Sequence, residues 1–278
     1  MTSCFFVTDL HGSRSRFEKL VTAIVEERPE AVFLGGDVLP LAADAEFIHE
    51  YLVPAFKRSR TTLGEHYPAV FVIVGNDDPR NVESDFIAGA SGRIWHYVHR
   101  QTYRLMDFSI YGLAYVPPTP FRLKDWERYD VSRYVPPGCL SPEEGFRTVP
   151  VEESEIKWRT IEKELLSLVG EDAVSRAVFL FHSPPADTAL DRAALDGKCD
   201  EHVPLDLHVG SIAIRRFIEQ RQPLLTLHGH VHEAARLTGE WKIQIGRTVC
   251  INGAHDGPEL ALVRFDLESP QYARRELL

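Results

Sequence analysis

Cysteine is scarce: Cys4, Cys139, Cys199 and Cys250 are the only four in 278 residues, and no two form a C-x-x-C pair. That spacing excludes a zinc ribbon and argues against a disulfide framework, so a reduced, cytoplasmic protein is expected. Long apolar runs are missing as well. The segment Met1–Asp9 has no basic leader and an apolar run of only four residues, and nowhere does the chain offer the ~18 apolar residues of a membrane span. Excess positive charge is absent, with 31 Lys and Arg against 41 Asp and Glu and a net charge of −10. Such a chain carries no electrostatic footprint for duplex DNA, which argues against a nucleic-acid partner. No low-complexity tract, short repeat or Gly/Ser linker divides it. A single domain over residues 1–278 is expected, and no oligomer is assigned.

What is present is the composition of an ordinary globular protein, 44% hydrophobic and 26% charged. Short β-branched and aromatic runs recur, each followed by a polar turn and a helical pattern. Cys4–Thr8 precedes a helix with Phe17, Leu20, Val21, Ile24 and Val25 on one face, stopped by Pro29. Ala31–Leu34 precedes a helix expected around 42–57, and Ala69–Val74 is the third run. Strand–helix alternation implies crossover connections and a largely parallel, buried sheet. Three further runs, 93–99, 102–106 and 108–115, have no helix between them and read as antiparallel strands. Residues 117–150 are irregular and rich in proline, aromatics and arginine, an insertion suited to a covering lid. A helix is expected at 152–169 and a strand at 177–181. A loop follows over 187–209, then a helix from Ser211 to about Gln220 and a strand at 224–227. Closing strands are expected at 240–245, 247–251 and 260–267.

The ends of the buried runs carry the chemistry. The first enters Thr8-Asp9-Leu10-His11, the second ends Gly35-Gly36-Asp37, and the third ends Gly75-Asn76-Asp77-Asp78. The fourth ends at His182 and the fifth enters His228-Gly229-His230-Val231-His232. In open α/β sheets the carboxyl ends of the strands meet at one crevice, where ligands bind. Asp9, His11, Asp37, Asn76, His182, His230 and His232 gathered there would make a nitrogen and oxygen donor set suited to Zn, Mn or Fe. Seven donors exceed one tetrahedral site and fit two adjacent ions sharing a carboxylate. Such a pair clamps the attacking and leaving oxygens in phosphoester hydrolysis.

In this order, Asp9-x-His11, Gly36-Asp37, Gly75-Asn76, His182 and Gly229-His230-x-His232, the motif set resembles that of the calcineurin-like metallophosphoesterase superfamily, over residues 9–232. The resemblance implies an α/β fold of four layers, α/β/β/α, with two mixed sheets and a dimetal site at the strand ends. It implies Asp9, His11 and His232 on one ion, Asn76, His182 and His230 on the other, and Asp37 between them. A hydroxide between the ions would attack phosphorus in line, making the protein a metal-dependent hydrolase of a small phosphoester. Two departures stand out. The family's Gly-Asn-His-(Asp/Glu) is here Gly75-Asn76-Asp77-Asp78, and Asn252-Gly253-Ala254-His255 stands where relatives often carry Asn-Pro-Gly. Asn76, Asp77 and His255 are therefore the catalytic candidates, with His255 a substitute for the missing imidazole. Loss of that imidazole leans the reading to a phosphodiesterase. The alternatives are a phosphomonoesterase or phosphoprotein phosphatase and, from another class, a non-catalytic protein-binding scaffold. His228 and His208 are candidates to lie near the site, Arg14 to touch phosphate, and the Gly210-Ser211 helix start to bind an anion or simply to be capped.

Overall fold

Runs such as Ala31–Gly35 and Ala177–Phe181 are buried on both faces, and the chain builds them into two sheets. The computed structural model describes residues 2–41 and 45–278. In chain order come β1 (Ser3–Val7), α1 (Arg14–Glu27), β2 (Ala31–Gly35), α2 (Val53–Leu63), β3 (Ala69–Ile73), α3 (Glu83–Ser91), β4 (His96–Tyr97), β5 (Thr102–Leu105) and β6 (Phe108–Leu113). After the irregular stretch follow α4 (Glu153–Trp158), α5 (Ile161–Val169), β7 (Ala177–Phe181), β8 (Cys199–Asp200), β9 (Val203–Pro204), α6 (Ile212–Arg221) and β10 (Leu225–His228). The remainder is α7 (Ala234–Thr238), β11 (Lys242–Ile245), β12 (Thr248–Asn252), β13 (Ala261–Asp266) and β14 (Arg274–Leu277).

One sheet has the order β14-β13-β1-β2-β3-β4 and the other β11-β12-β10-β7-β6-β5. Both are mixed, with β1 to β4 parallel in the first and β12, β10, β7 and β6 parallel in the second. Side chains alternate between two cores. Cys4, Phe6, Phe33, Phe71, Val178 and Leu180 meet between the sheets, while Phe5, Val7, Val32 and Leu34 join Phe17, Leu20 and Ile24 of α1 on the outer face. Against the second sheet, Phe217 of α6 meets the ring of Phe179 at 4.9 Å. The result is the expected helix, sheet, sheet, helix sandwich. Among the described residues no helix is long and apolar enough to cross a membrane.

Four local expectations are corrected. Of 93–99 only His96–Tyr97 is strand, and it pairs parallel to β3 rather than antiparallel. Strands β5 and β6 do form an antiparallel hairpin, yet β6 runs parallel to β7, because α5 carries the crossover between them. The helix expected at 152–169 breaks at Arg159, where Thr160 turns extended and its Oγ1 accepts from the Lys163 N–H at 3.2 Å to start α5. The helix expected around 42–57 continues to Leu63 after a π-helical turn at Phe47–Leu52, and its positions 42–44 lie outside the described residues.

Candidate metal centre

All seven donor candidates follow the carboxyl ends of parallel strands, where the chain leaves extended geometry abruptly. Asp9, His11, Asp37 and His230 have φ of 55°, 45°, 48° and 70°. Few non-glycine residues adopt the left-handed region, and holding one there costs of order 1–3 kcal/mol. Backbone bonds hold these turns across strands. Asp9 donates to Gly36 O at 3.0 Å, His11 to Asp37 O at 2.9 Å, and Gly229 to His182 O at 2.9 Å. Close approach also dictates glycine beside the donors. A Cβ at Gly75 would stand 2.2 Å from Asp37 Oδ1, and one at Gly229 would stand 2.4 Å from Asp9 Oδ2.

Donor atoms of Asp9, His11, Asp37 and His232 all lie within 4.8 Å of one another. His232 Nε2 is 3.0 Å from Asp9 Oδ1 and 3.3 Å from His11 Nε2, which lies 3.9 Å from Asp37 Oδ2. On the other side, Asp37 Oδ2 is 3.2 Å from His182 Nε2, which is 3.1 Å from Asn76 Oδ1. The rings of His182 and His230 stand 5.3 Å apart. Asp37 thus faces both groups. His182 Nδ1 lies 2.8 Å from Gly35 O, and a carbonyl only accepts, so Nδ1 carries a proton and Nε2 is aimed at Asp37 and Asn76. A ligating imidazole is commonly oriented in that way. The residues therefore fit transition-metal ions by donor type, convergence and imidazole orientation.

Without a cation, protons balance the buried carboxylates. Burial disfavours charge on His182, but Asp37 outweighs it and lifts the imidazole to about 10; Asp9 lifts His232 to about 9 in the same way. Burial likewise pushes Asp9 and Asp37 up, yet His232 and His182 hold them below the ordinary range. His230, buried and beside charged His182, falls to about 4. A divalent ion would replace these protons.

Asp77 stands at the rim, its side chain 27% exposed. Its Oδ1 accepts from Asn76 Nδ2 at 2.9 Å, which turns Asn76 Oδ1 inward, and its N–H donates to Asp37 Oδ1 at 2.8 Å. Burial and the Asp37 charge raise its carboxyl. His255, three residues beyond β12, has its Nε2 3.0 Å from Glu259 Oε2 and its Nδ1 3.9 Å from Asp256 Oδ1. His228 is a core residue, its Nδ1 2.9 Å from Ser183 O and its Nε2 2.7 Å from Thr226 Oγ1, and burial lowers it to about 4. His208 pairs with buried Asp191 at 2.8 Å, and exposed Arg14 lies 5.1 Å over the Tyr51 ring. The start of α6 is already filled. Asp130, from the insertion, accepts from the Ser211 hydroxyl and the N–H groups of Ile212 and Ala213 at 2.6, 2.6 and 3.2 Å.

Sequence reasoning missed two carboxylates. Fully buried Asp78 accepts from the N–H groups of Val38, Leu39 and Gly75 at 3.1, 2.8 and 2.9 Å, tying the turn after β2 to the turn after β3. Burial, with the Asp37 charge, pushes it up to about 7 against those three donors. Its place in the third motif was the available signal. Asp130 had none, since its partners lie more than 80 residues away.

A family model described as calcineurin-like phosphoesterase matches residues 3–234. None of the curated proteins matches the chain. Among solved structures, one superposes with a TM-score of 0.62 at 17% identity, covering 99% of this chain and 98% of that one. TT1561 of Thermus thermophilus superposes with a TM-score of 0.56 at 14% identity, again covering 99% and 98%. A dimetal phosphatase from Danio rerio is similar at 14% identity and a TM-score of 0.49, covering 94% of this chain and 91% of that one. The first two share the fold of this chain.

Proposed function

Because the chain belongs to the calcineurin-like phosphoesterase family, which binds two divalent metal ions and hydrolyses phosphoesters, we propose that it is a dimetal phosphodiesterase of a small substrate. One observation carries this reading: the four donors that converge within 4.8 Å come from strand ends of both sheets, inside the segment that the family model matches. In this reading Asp9, His11 and His232 hold one ion, Asn76, His182 and His230 the other, and Asp37 is shared. When bound, the ions supply Lewis-acid charge to the phosphoester and activate water.

The chain's own residues do the positioning. Gly35 O holds the His182 ring and Asp77 holds the Asn76 amide, so both donors are aimed before an ion arrives. Asp78 keeps the turns bearing Asp37 and Asn76 at a constant separation. Asp77 occupies the place where the family's imidazole stands, and His255 is engaged by Glu259, which favours esters whose alcohol leaves without strong protonation. The insertion at 117–150 serves as a fixed wall of one domain spanning the chain, since Trp126 Nε1 donates to Asp78 O at 2.6 Å and Asp130 caps α6. Four unpaired cysteines suit a reducing, cytoplasmic setting.

Metal analysis after incubation with Mn²⁺ and Zn²⁺, with hydrolysis assayed on a nitrophenyl diester and monoester, tests the reading. Two ions per chain and chelator-sensitive cleavage, faster on the diester, are expected. One ion or none defeats the dimetal assignment. Two ions with no cleavage of either ester would favour the scaffold alternative.

A further inference from the structure

Beside the strand-end rim, between the insertion and the loop after β7, lies a cavity of about 320 Å³. Its wall includes Pro117, Pro136, Tyr134, Leu195, Leu205 and Val209. Chain geometry limits how far it can lie from the metal centre. Ala186 lines the cavity four residues beyond His182, and a chain spans at most ~3.6 Å per residue, so their Cα atoms lie within about 14 Å. Strands β6 and β7 run parallel with Leu113 beside Phe181, so Pro117 leaves the same rim as the His182 segment. The insertion is pinned at this space by Asp130 on α6, and away from its lining by Trp126 on the Asn76–Asp78 turn.

The lining is chemically one-sided. No Lys or Arg contributes to it among the described residues, so it offers phosphate no counter-charge. Its acids are engaged within the protein: Asp130 by α6, Asp187 by Arg215 at 3.0 Å, and Asp206 by the His208 N–H at 2.9 Å. His208 is held by Asp191. What remains is apolar contact surface on a proline-rich wall whose φ angles are restricted, so an occupant orders little on entering. The volume lies at the small end of ligand pockets, enough for one ring or a short chain.

We propose that this cavity receives the uncharged alkyl or aryl group of the phosphoester, so that the substrates are esters of a hydrophobic alcohol rather than nucleotides or sugar phosphates. The inference rests on the phosphoesterase reading and adds to it the substrate class. Phosphate stays at the ions while the apolar group turns into the wall.

The test is kcat/KM for the metal-loaded enzyme on nitrophenyl alkyl phosphodiesters from methyl to hexyl, with a thymidine diester for contrast. Burial of a methylene contributes about 0.8 kcal/mol, so kcat/KM should rise about fourfold per methylene and about sixtyfold from methyl to butyl. Leu205→Glu and, at a residue 68% exposed, Tyr134→Ser should each cut the hexyl-to-methyl ratio at least tenfold. Because the readout is a ratio within each variant, partial unfolding does not mimic it. A flat wild-type series, or preference for the thymidine ester, overturns the inference and leaves the phosphoesterase reading standing. If no ester is cleaved, that reading has failed and binding decides the cavity. Butanol and hexanol are then titrated while the methyl NMR signals of Leu195, Leu205 and Val209 are followed. Saturable shifts that tighten with chain length support an apolar site, and no shift overturns it.

Discussion

Two regions of this molecule bury charge, the strand-end cluster and the insertion, and they do so to different ends. In the insertion, Lys124 and Glu127 are both fully buried and meet at 2.6 Å, with Thr119 donating to Glu127 through its N–H and hydroxyl. Asp125 accepts from Arg80 N–H, Thr148 N–H and the Thr148 hydroxyl, and Asp130 caps α6. Acceptors there face donors. At the cluster, Asp9, Asp37 and Asn76 are also buried. Beyond the bonds that Asp9 accepts from the His230 N–H and the Thr8 hydroxyl, and Asp37 from the Asp77 N–H, their oxygens face imidazole nitrogens that serve as donors only while protonated. Burial of charge alone therefore does not mark a site; convergence of lone pairs does.

Removing the shared carboxylate should break the contrast most sharply. Asp37→Ala is expected to lose both ions and all chelator-sensitive hydrolysis, whereas His182→Ala or His230→Ala should retain close to one ion. Metal analysis decides this, and two ions in Asp37→Ala would refute the sharing.

In the insertion, Glu127→Gln should leave the Lys124 ammonium buried and unpaired, costing about 3–5 kcal/mol in denaturant unfolding without changing metal content. The double change Lys124→Met with Glu127→Leu should recover most of that loss. A fall in metal content in the single variant would mean that the two regions are not separable.

Asp77 lies between the regions in character, a rim carboxylate that orients a donor. A general acid contributes roughly 10²–10⁴-fold, mostly for poor leaving groups. Asp77→His is thus expected to raise rates on dialkyl esters more than on nitrophenyl esters, within that range, flattening the leaving-group dependence. His255→Ala should leave the dependence as it is. Rates across an aryl and alkyl diester series, measured for both variants, test the pair of expectations.

The smallest effect is expected at Asp130. Its loss removes the acceptor of the Ile212 and Ala213 N–H groups while Ser211 still accepts from Ile214, so Asp130→Ala should cost about 1–2 kcal/mol of stability. Thermal unfolding of the metal-free protein measures it, and no change would show that Ser211 caps α6 unaided.

The parts of this structure legible in the sequence were those written within a few residues. Buried strands show as apolar runs, and the turns that end them show as Gly-Asp or Gly-His steps, so Asp9, Asp37, His182 and His230 could be nominated together. Long-range pairing was not legible. Asp130 looks like any turn aspartate until α6, beginning 82 positions away, is packed beside it. The direction of β6 was readable but missed: α5 lies between β6 and β7, which makes them a crossover pair despite the insertion. The role of Asp77 was half legible. The sequence marked it as a replacement, and only the bond from Asn76 Nδ2 turns it into a residue that aims another.

The donor turns also bear on the order in which the molecule forms. His232 Nε2 and Asp9 Oδ1 meet across 223 positions of chain, and His182 and Asn76 across 106. Contacts of such separation close late, after local helices and hairpins, because the loop entropy must be overcome first. No isolated segment of the chain can offer the complete donor set, so an ion finds its full site only once both sheets have docked. Metal then acts as a latch on a finished fold rather than as a seed for it.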